Sequence, residues 1–160
     1  MAVADLSRDV VEERLGALEE AYASFTVNQT TLSVGTETYQ RARDRFTQGV
    51  ADAYVKVYDD GDDVLLVESE REWVVPSVSP PSDKPLERGV SGAVAEHTGV
   101  ECAVTDLERV TILGVCDEEE QERATVYRLV AVFTAERTGG APAEDAAWHS
   151  DLPESALPRY

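Results

Sequence analysis

The spacing of apolar positions changes along the chain, and each change marks a new element. Leu6, Val10, Val11, Leu15, Leu18, Tyr22 and Phe25 recur at helical intervals and define one apolar face. Glu12, Glu13, Glu19 and Glu20 lie opposite. Ser7 is placed to cap this helix, with Asp9, Glu12 and Glu13 following where the helix dipole favours acids. The polar run Asn28-Gln29-Thr30-Thr31 ends the element. Tyr39, Ala42, Phe46 and Val50 predict a second, shorter amphipathic helix that ends near Gly49. The N-terminal segment therefore reads as helical, either as a hairpin packed on the rest of the chain or as a dimerisation arm.

From Ala53 the pattern is that of strands. Tyr54, Val55, Val57 and Tyr58 are β formers, and Val64 to Val67 return as a second strand. Asp59-Asp60-Gly61-Asp62 lies between them, and an Asp-Gly pair supplies the positive φ of a tight hairpin turn. Trp73-Val74-Val75 is a third strand, stopped by Pro76. Residues 77–85 hold three prolines, three serines and one aspartate, so they form a loop. A helix is predicted over Leu86–Thr98, with Val90, Val94, Ala93 and His97 toward one face and Gly99 in the left-handed position past its end. Strands follow at Cys102–Val104 and Val110–Cys116, then an acidic loop from Asp117 to Glu122. Ala124–Ala135 is a long apolar run suited to a central strand, broken by Gly139-Gly140-Ala141-Pro142. Ala146-Ala147-Trp148 is a last short strand, before a terminal turn or helix opened by Leu152-Pro153.

Charge narrows the possible partners. The 160 residues carry 32 acidic and 14 basic side chains, a formal net charge of −18. Lys56 and Lys84 are the only lysines. An acidic chain that also avoids lysine resembles proteins of salt-loving cytoplasms, where molar salt screens carboxylate repulsion within a few ångströms. The plainer reading is an ordinary acidic protein. Nucleic acid is an unsuitable partner, because phosphate backbones call for clustered Lys and Arg. The densest basic run, Arg41, Arg43 and Arg45, is interrupted by Asp44. Anionic membrane surfaces are disfavoured for the same reason. No stretch approaches the roughly 18 unbroken apolar residues of a membrane span, and the N-terminus lacks the pattern of a signal peptide. A cytoplasmic location is expected. Cys102 and Cys116 form no CxxC pair and read as small buried hydrophobes in strands.

The order of elements resembles the Nudix family: strand, Asp-Gly hairpin, strand, Trp73-Val74-Val75-Pro76, loop, helix, then Glu96-His97-Thr98-Gly99-Val100. The resemblance extends through the long apolar strand, Thr138-Gly139-Gly140, the acidic loop, Trp148 and Leu152-Pro153, about a hundred residues in all. It implies an α/β fold of the α+β kind, an α/β/α sandwich on a mixed sheet. Residues 51–160 would form the Nudix-like domain and residues 1–50 the N-terminal helical segment. The family pattern runs Gly, five residues, Glu, seven residues, then Arg-Glu-aliphatic-any-Glu-Glu-any-Gly-aliphatic. With Gly99 at its last glycine, Pro76, Val94, Glu96, Gly99 and Val100 match. Ser77 and Val78 stand where the pattern has two glycines, Lys84 at its first glutamate, Gly92 and Ala93 at its Arg-Glu pair, and His97 at its last glutamate. One of the four box glutamates survives.

That loss bears on chemistry. The resemblance implies enzymes whose helix carboxylates hold Mg²⁺ or Mn²⁺ against a diphosphate. Hard divalent cations require anionic oxygen ligands, and several are needed to position metal and water. Ala93, Glu96 and His97 occupy the i, i+3, i+4 positions that point one way. A methyl binds no cation, and an imidazole suits softer transition metals. Glu96 reads as a lone ligand or, more plainly, as a solvated helix residue. His97 could complete a transition-metal pair with Glu96, with Glu144 as a third ligand from the acidic loop. The plainer reading of Glu144 is surface charge. Lys84 and Arg88 could meet ligand phosphate directly, in place of a metal, or pair with Asp83 or Glu87. Trp73 and Trp148 read as packing residues, and His149 as exposed.

Three readings follow. The first is a non-catalytic or weakly active binder of a nucleoside-diphosphate-type small molecule. The second is a phosphoanhydride hydrolase that uses a divalent metal and displaced acids such as Glu87, Glu96 and Glu144. The third is a structural homodimer built on the N-terminal helices. The missing carboxylates favour the first.

Overall fold

The computed structural model describes residues 3–45, 51–79, 86–120, 122–153 and 156–157. In chain order the elements are α1 (Val3–Ala21), β1 (Thr26–Val34), α2 (Thr36–Arg45), β2 (Ala51–Tyr58), β3 (Val64–Ser69), β4 (Glu72–Val74), β5 (Ser77–Val78), α3 (Leu86–Thr98), β6 (Val100–Asp117), β7 (Val126–Gly140) and β8 (Ala146–His149). The eight strands form one mixed sheet ordered β1-β6-β7-β2-β3-β4, with β5 on β2 and β8 on β3. The pairs β1–β6 and β2–β7 are parallel, and β6–β7 is antiparallel. No described helix is long and apolar enough to cross a membrane.

Strand alternation divides the sheet into two faces. Ala51, Ala53, Val55 and Val57 of β2 join Leu129, Ala131, Phe133 and Ala135 of β7 in one core cluster. Val11 and Leu18 of α1 and Leu86, Val90 and Val94 of α3 close over them. Residues 86, 90, 94 and 98 recur every fourth position, so α3 turns one stripe inward; all four are buried. Tyr54 and Val130 point the other way and meet Leu113, Val115 and Val126 beneath Tyr39 and Ala42 of α2. Helices therefore cover both faces, giving the expected α/β/α layering on a mixed sheet. Each fully buried Val or Leu contributes roughly 1.5–3 kcal/mol.

Several local expectations are corrected. Ser7 is not a cap. It lies inside α1, fully buried, and its Oγ accepts a hydrogen bond from Tyr127 N at 3.0 Å. The polar run at residues 28–31 is not a helix end but the middle of β1, paired with β6 over nine residues. Phe46 and Val50 lie outside the described residues. The two strands expected at 102–104 and 110–116 are one strand, β6, whose ladder with β7 breaks between Glu101 and Cys102, Val104 and Asp106, and Leu107 and Arg109. The break at Glu108 leaves that residue unpaired, so Leu107 and Val110, three apart, both reach the same core. In the hairpin after β2 the positive φ falls at Asp62 (64°), not Gly61. Asp59 Oδ1 accepts from Gly61 N and Asp63 N, both at 2.9 Å, and fixes the turn. His149 is half-buried against Trp73, with ring centroids 4.8 Å apart, rather than exposed. Both cysteines are free and half-buried in β6.

Candidate functional site at the end of the third helix

The last turn of α3 is held from three sides. Thr98 Oγ1 donates to Val94 O at 2.7 Å and accepts from Val100 N at 3.1 Å. Gly99 N donates to Ala95 O at 3.0 Å, and the chain reverses there at φ 79°. Ala143 N donates to Thr98 O at 2.8 Å, tying the loop after β7 to the helix end. Gly140, at φ 74°, passes so close that an added Cβ would lie 2.2 Å from Gly99 O. Only glycine fits at 140, because positive φ and close backbone approach coincide. Cys102 on β6 packs beneath α3; burial pushes its thiol pKa up, and a hydrogen bond with Ser91 partly offsets this.

The solvent side of this end carries little chemistry. Glu96 and His97 are exposed and Ala93 is half-buried. Glu96 and His97 are adjacent on α3, their Cα positions roughly 100° apart about the axis, so a metal held by both needs a third ligand from elsewhere. Glu87 lies in the first turn of α3, nine residues before Glu96, a rise of roughly 14 Å along the axis. Those two helix positions are therefore at opposite ends. Glu144 sits, exposed, in the loop tied to Thr98 and so belongs to the same end as Glu96. Arg88 stands in the first turn of the helix, and Lys84 lies outside the described residues. Among the described residues no group of three His, Cys, Asp or Glu could hold a metal. The one carboxylate on the Ala93, Glu96, His97 set does not fit Mg²⁺ or Mn²⁺, which need several anionic oxygens.

A second polar centre, not foreseen from sequence, lies on the opposite face. Arg128 is 4% exposed, and its Nε and Nη2 grip Asp52 Oδ2 and Oδ1, both at 3.0 Å. Arg45 Nη2 reaches the same Oδ1 at 3.0 Å, and Ser79 Oγ donates to it at 2.6 Å. Burial pushes the Asp52 carboxyl pKa up, but Arg128, Ser79 and Arg45 outweigh that and hold it below the usual carboxylate range. Ser79 directly follows β5, so the cluster ties the end of that strand to Asp52 of β2 and Arg128 of β7. The alternation of β2, which puts Asp52 on the face opposite Ala51 and Ala53, was the available signal.

No family model matches this chain, and no curated protein does. Among solved structures it is similar to a UDP-X diphosphatase, at 16% identity and a TM-score of 0.48, over 76% of this chain and 63% of the other. It thus spans less than two thirds of that protein's length. It is also similar to an ADP-ribose pyrophosphatase from Streptococcus suis, at 17% identity and a TM-score of 0.48, over 64% of this chain and 76% of the other. A MutT protein from Bacillus halodurans aligns at 21% identity and a TM-score of 0.44, over 62% of this chain and 67% of the other.

Proposed function

We propose that this chain is a Nudix-like domain that binds a nucleoside-diphosphate-type ligand without metal-driven hydrolysis. The observation that carries the reading is the solvent side of α3, where one exposed carboxylate, Glu96, stands beside an imidazole and a methyl. Charge for the ligand's phosphates would then come from the protein, with Lys84 and Arg88 as the proposed contacts. A guanidinium or ammonium can meet phosphate oxygens directly.

Calorimetry with ADP-ribose in molar KCl tests the proposal. Binding should be equal with and without Mn²⁺, and Lys84→Ala should weaken it by about tenfold, as expected for loss of one charge-assisted contact. Binding that requires Mn²⁺ contradicts the proposal.

One observation favours the hydrolase alternative. The bond from Ala143 N to Thr98 O brings the loop of Glu144 to the end of α3 that carries Glu96. On that reading Mn²⁺ binds at micromolar concentration and Glu96→Ala abolishes it. The homodimer built on the N-terminal helices has less support, because Val11 and Leu18 are buried against the chain's own sheet.

A further inference from the structure

The α2 face of the sheet has an uncovered end. Tyr39 covers Leu113, Val115, Val126 and Val130. Beyond that cover lies an open cavity of about 380 Å³ between β1, β6 and β7. This is within the roughly 300–1,000 Å³ typical of small-molecule sites. Val130 and Val132, both almost fully buried, line it from β7; Arg109 and Thr111 line it from β6, and Asn28 and Thr30 from β1. The registers Arg109–Val132, Thr111–Val130 and Asn28–Thr111 put these side chains on one face. That face is opposite the one covered by α3.

The cavity is electrostatically unlike the rest of the molecule. In a chain with 32 acidic residues, none of its described lining residues is acidic. Arg109 is half-buried, and its guanidinium makes no hydrogen bond or ion pair with the described residues. Three other cations with reduced exposure are neutralised: Lys56 holds Glu108 at 2.6 Å, Arg128 holds Asp52, and Arg123 holds Glu120 at 2.6 Å. Glu108, the carboxylate next to Arg109 in sequence, is thus taken up by Lys56. A half-buried guanidinium that no carboxylate of the protein engages is open to an anion from solution.

We propose that this cavity binds a small phosphate monoester, in a site distinct from the α3 end used by the proposed function. Arg109 would take two terminal oxygens with its planar fork. Asn28, Thr30 and Thr111 supply neutral donors for the third, which suits the three terminal oxygens of a phosphate better than the two of a carboxylate. Val130 and Val132 offer an apolar floor for the organic part.

The test is an amide NMR titration of the full chain with ribose 5-phosphate, with inorganic phosphate in a parallel titration. The expected result is saturable shifts at Thr30, Arg109 and Thr111, and weaker binding of inorganic phosphate at the same amides. Arg109→Gln should weaken ribose 5-phosphate by about tenfold or more. Asn28→Asp, at an exposed strand position, supplies Arg109 with an internal anion and should weaken it as much, which keeps the test decisive if Arg109→Gln fails to fold. Arg43→Gln and Glu96→Gln should leave binding unchanged. Shifts scattered over exposed arginines, or wild-type affinity in Asn28→Asp, would overturn the site. Equal affinity for inorganic phosphate would overturn the assignment to a monoester.

Discussion

The sheet face beneath α1 and α3 is built from Val, Leu, Ala and Phe133, whereas the face beneath α2 carries Asp52, Lys56, Arg109 and Arg128 among its apolar residues. On the first face stability comes from close packing, and α3 above it shows solvent the Glu96 carboxylate. On the second, buried or half-buried charges are held in fixed partnerships, and Arg109 stands without one among the described residues. Val90 and Val94, both fully buried, keep α3 docked on the sheet.

The largest expected effect is on the apolar face. Phe133→Ala should destabilise by about 3–5 kcal/mol in denaturant titrations, because Phe133 is fully buried and the space cannot collapse. That loss should be independent of pH. On the other face Asp52→Ala should cost about 3 kcal/mol or more, because it takes from the buried Arg128 a carboxylate that it grips with two hydrogen bonds. Here pH matters. The folded-state pKa of Asp52 lies below its unfolded value, so its contribution is fully present above the ordinary carboxylate range, near 3.9, and is lost as pH falls through the folded pKa. The stability gap between wild type and Asp52→Ala should therefore narrow only in acid. A gap that is constant down to pH 2 would remove the distinction between the two faces.

Smaller effects sharpen the picture at the edges. Gly140→Ala should cost about 2–3 kcal/mol, from positive φ and the contact with Gly99 O. Thermal unfolding reads this directly. The turn between β3 and β4 places Glu70 and Arg71 at φ 48° and 71°. Replacing them with Asn and Gly should stabilise by about 1 kcal/mol, since those residues adopt positive φ with less strain. Glu96→Ala should change stability by less than about 0.5 kcal/mol, as for an exposed surface residue. A larger loss would mean that Glu96 has a structural partner in solution.

Much of this was legible in the sequence. The bounds of α3, the left-handed Gly99 and the central position of β7 follow from periodicity and turn chemistry, because burial and φ demand particular residues there; the hairpin at Asp59 was legible as a turn, though not in which residue takes positive φ. β1 was not legible. Thr26–Val34 is largely exposed and mostly polar, and ladder pairing with β6 holds it rather than a buried face. The continuity of β6 was hidden because its bulges break alternation where a reader looks for a strand end. The turn at Glu70-Arg71 lacks Gly or Asn and gives no signal. At the candidate site, the placing of Ala93, Glu96 and His97 on α3 was visible in the sequence. The Asp52–Arg128 pair and the cavity around Arg109 depend on strand register across 76 and about 80 residues, which no local pattern encodes.

The low content of lysine and the −18 charge bear on conditions. Self-repulsion should loosen the fold when screening is removed. Circular dichroism between molar and millimolar KCl should show the loss, and an unchanged spectrum would point to an ordinary acidic protein.

The central claim is that Glu96, set beside Ala93 and His97 on α3, cannot hold a divalent ion for phosphoanhydride cleavage. Its most direct test is ADP-ribose turnover by the purified chain in molar KCl with millimolar Mg²⁺ or Mn²⁺. Nucleotide binding with no metal-dependent product above background is the predicted result. Turnover near the ordinary enzymatic range of roughly 1–10³ s⁻¹, lost in Glu96→Gln, would contradict it.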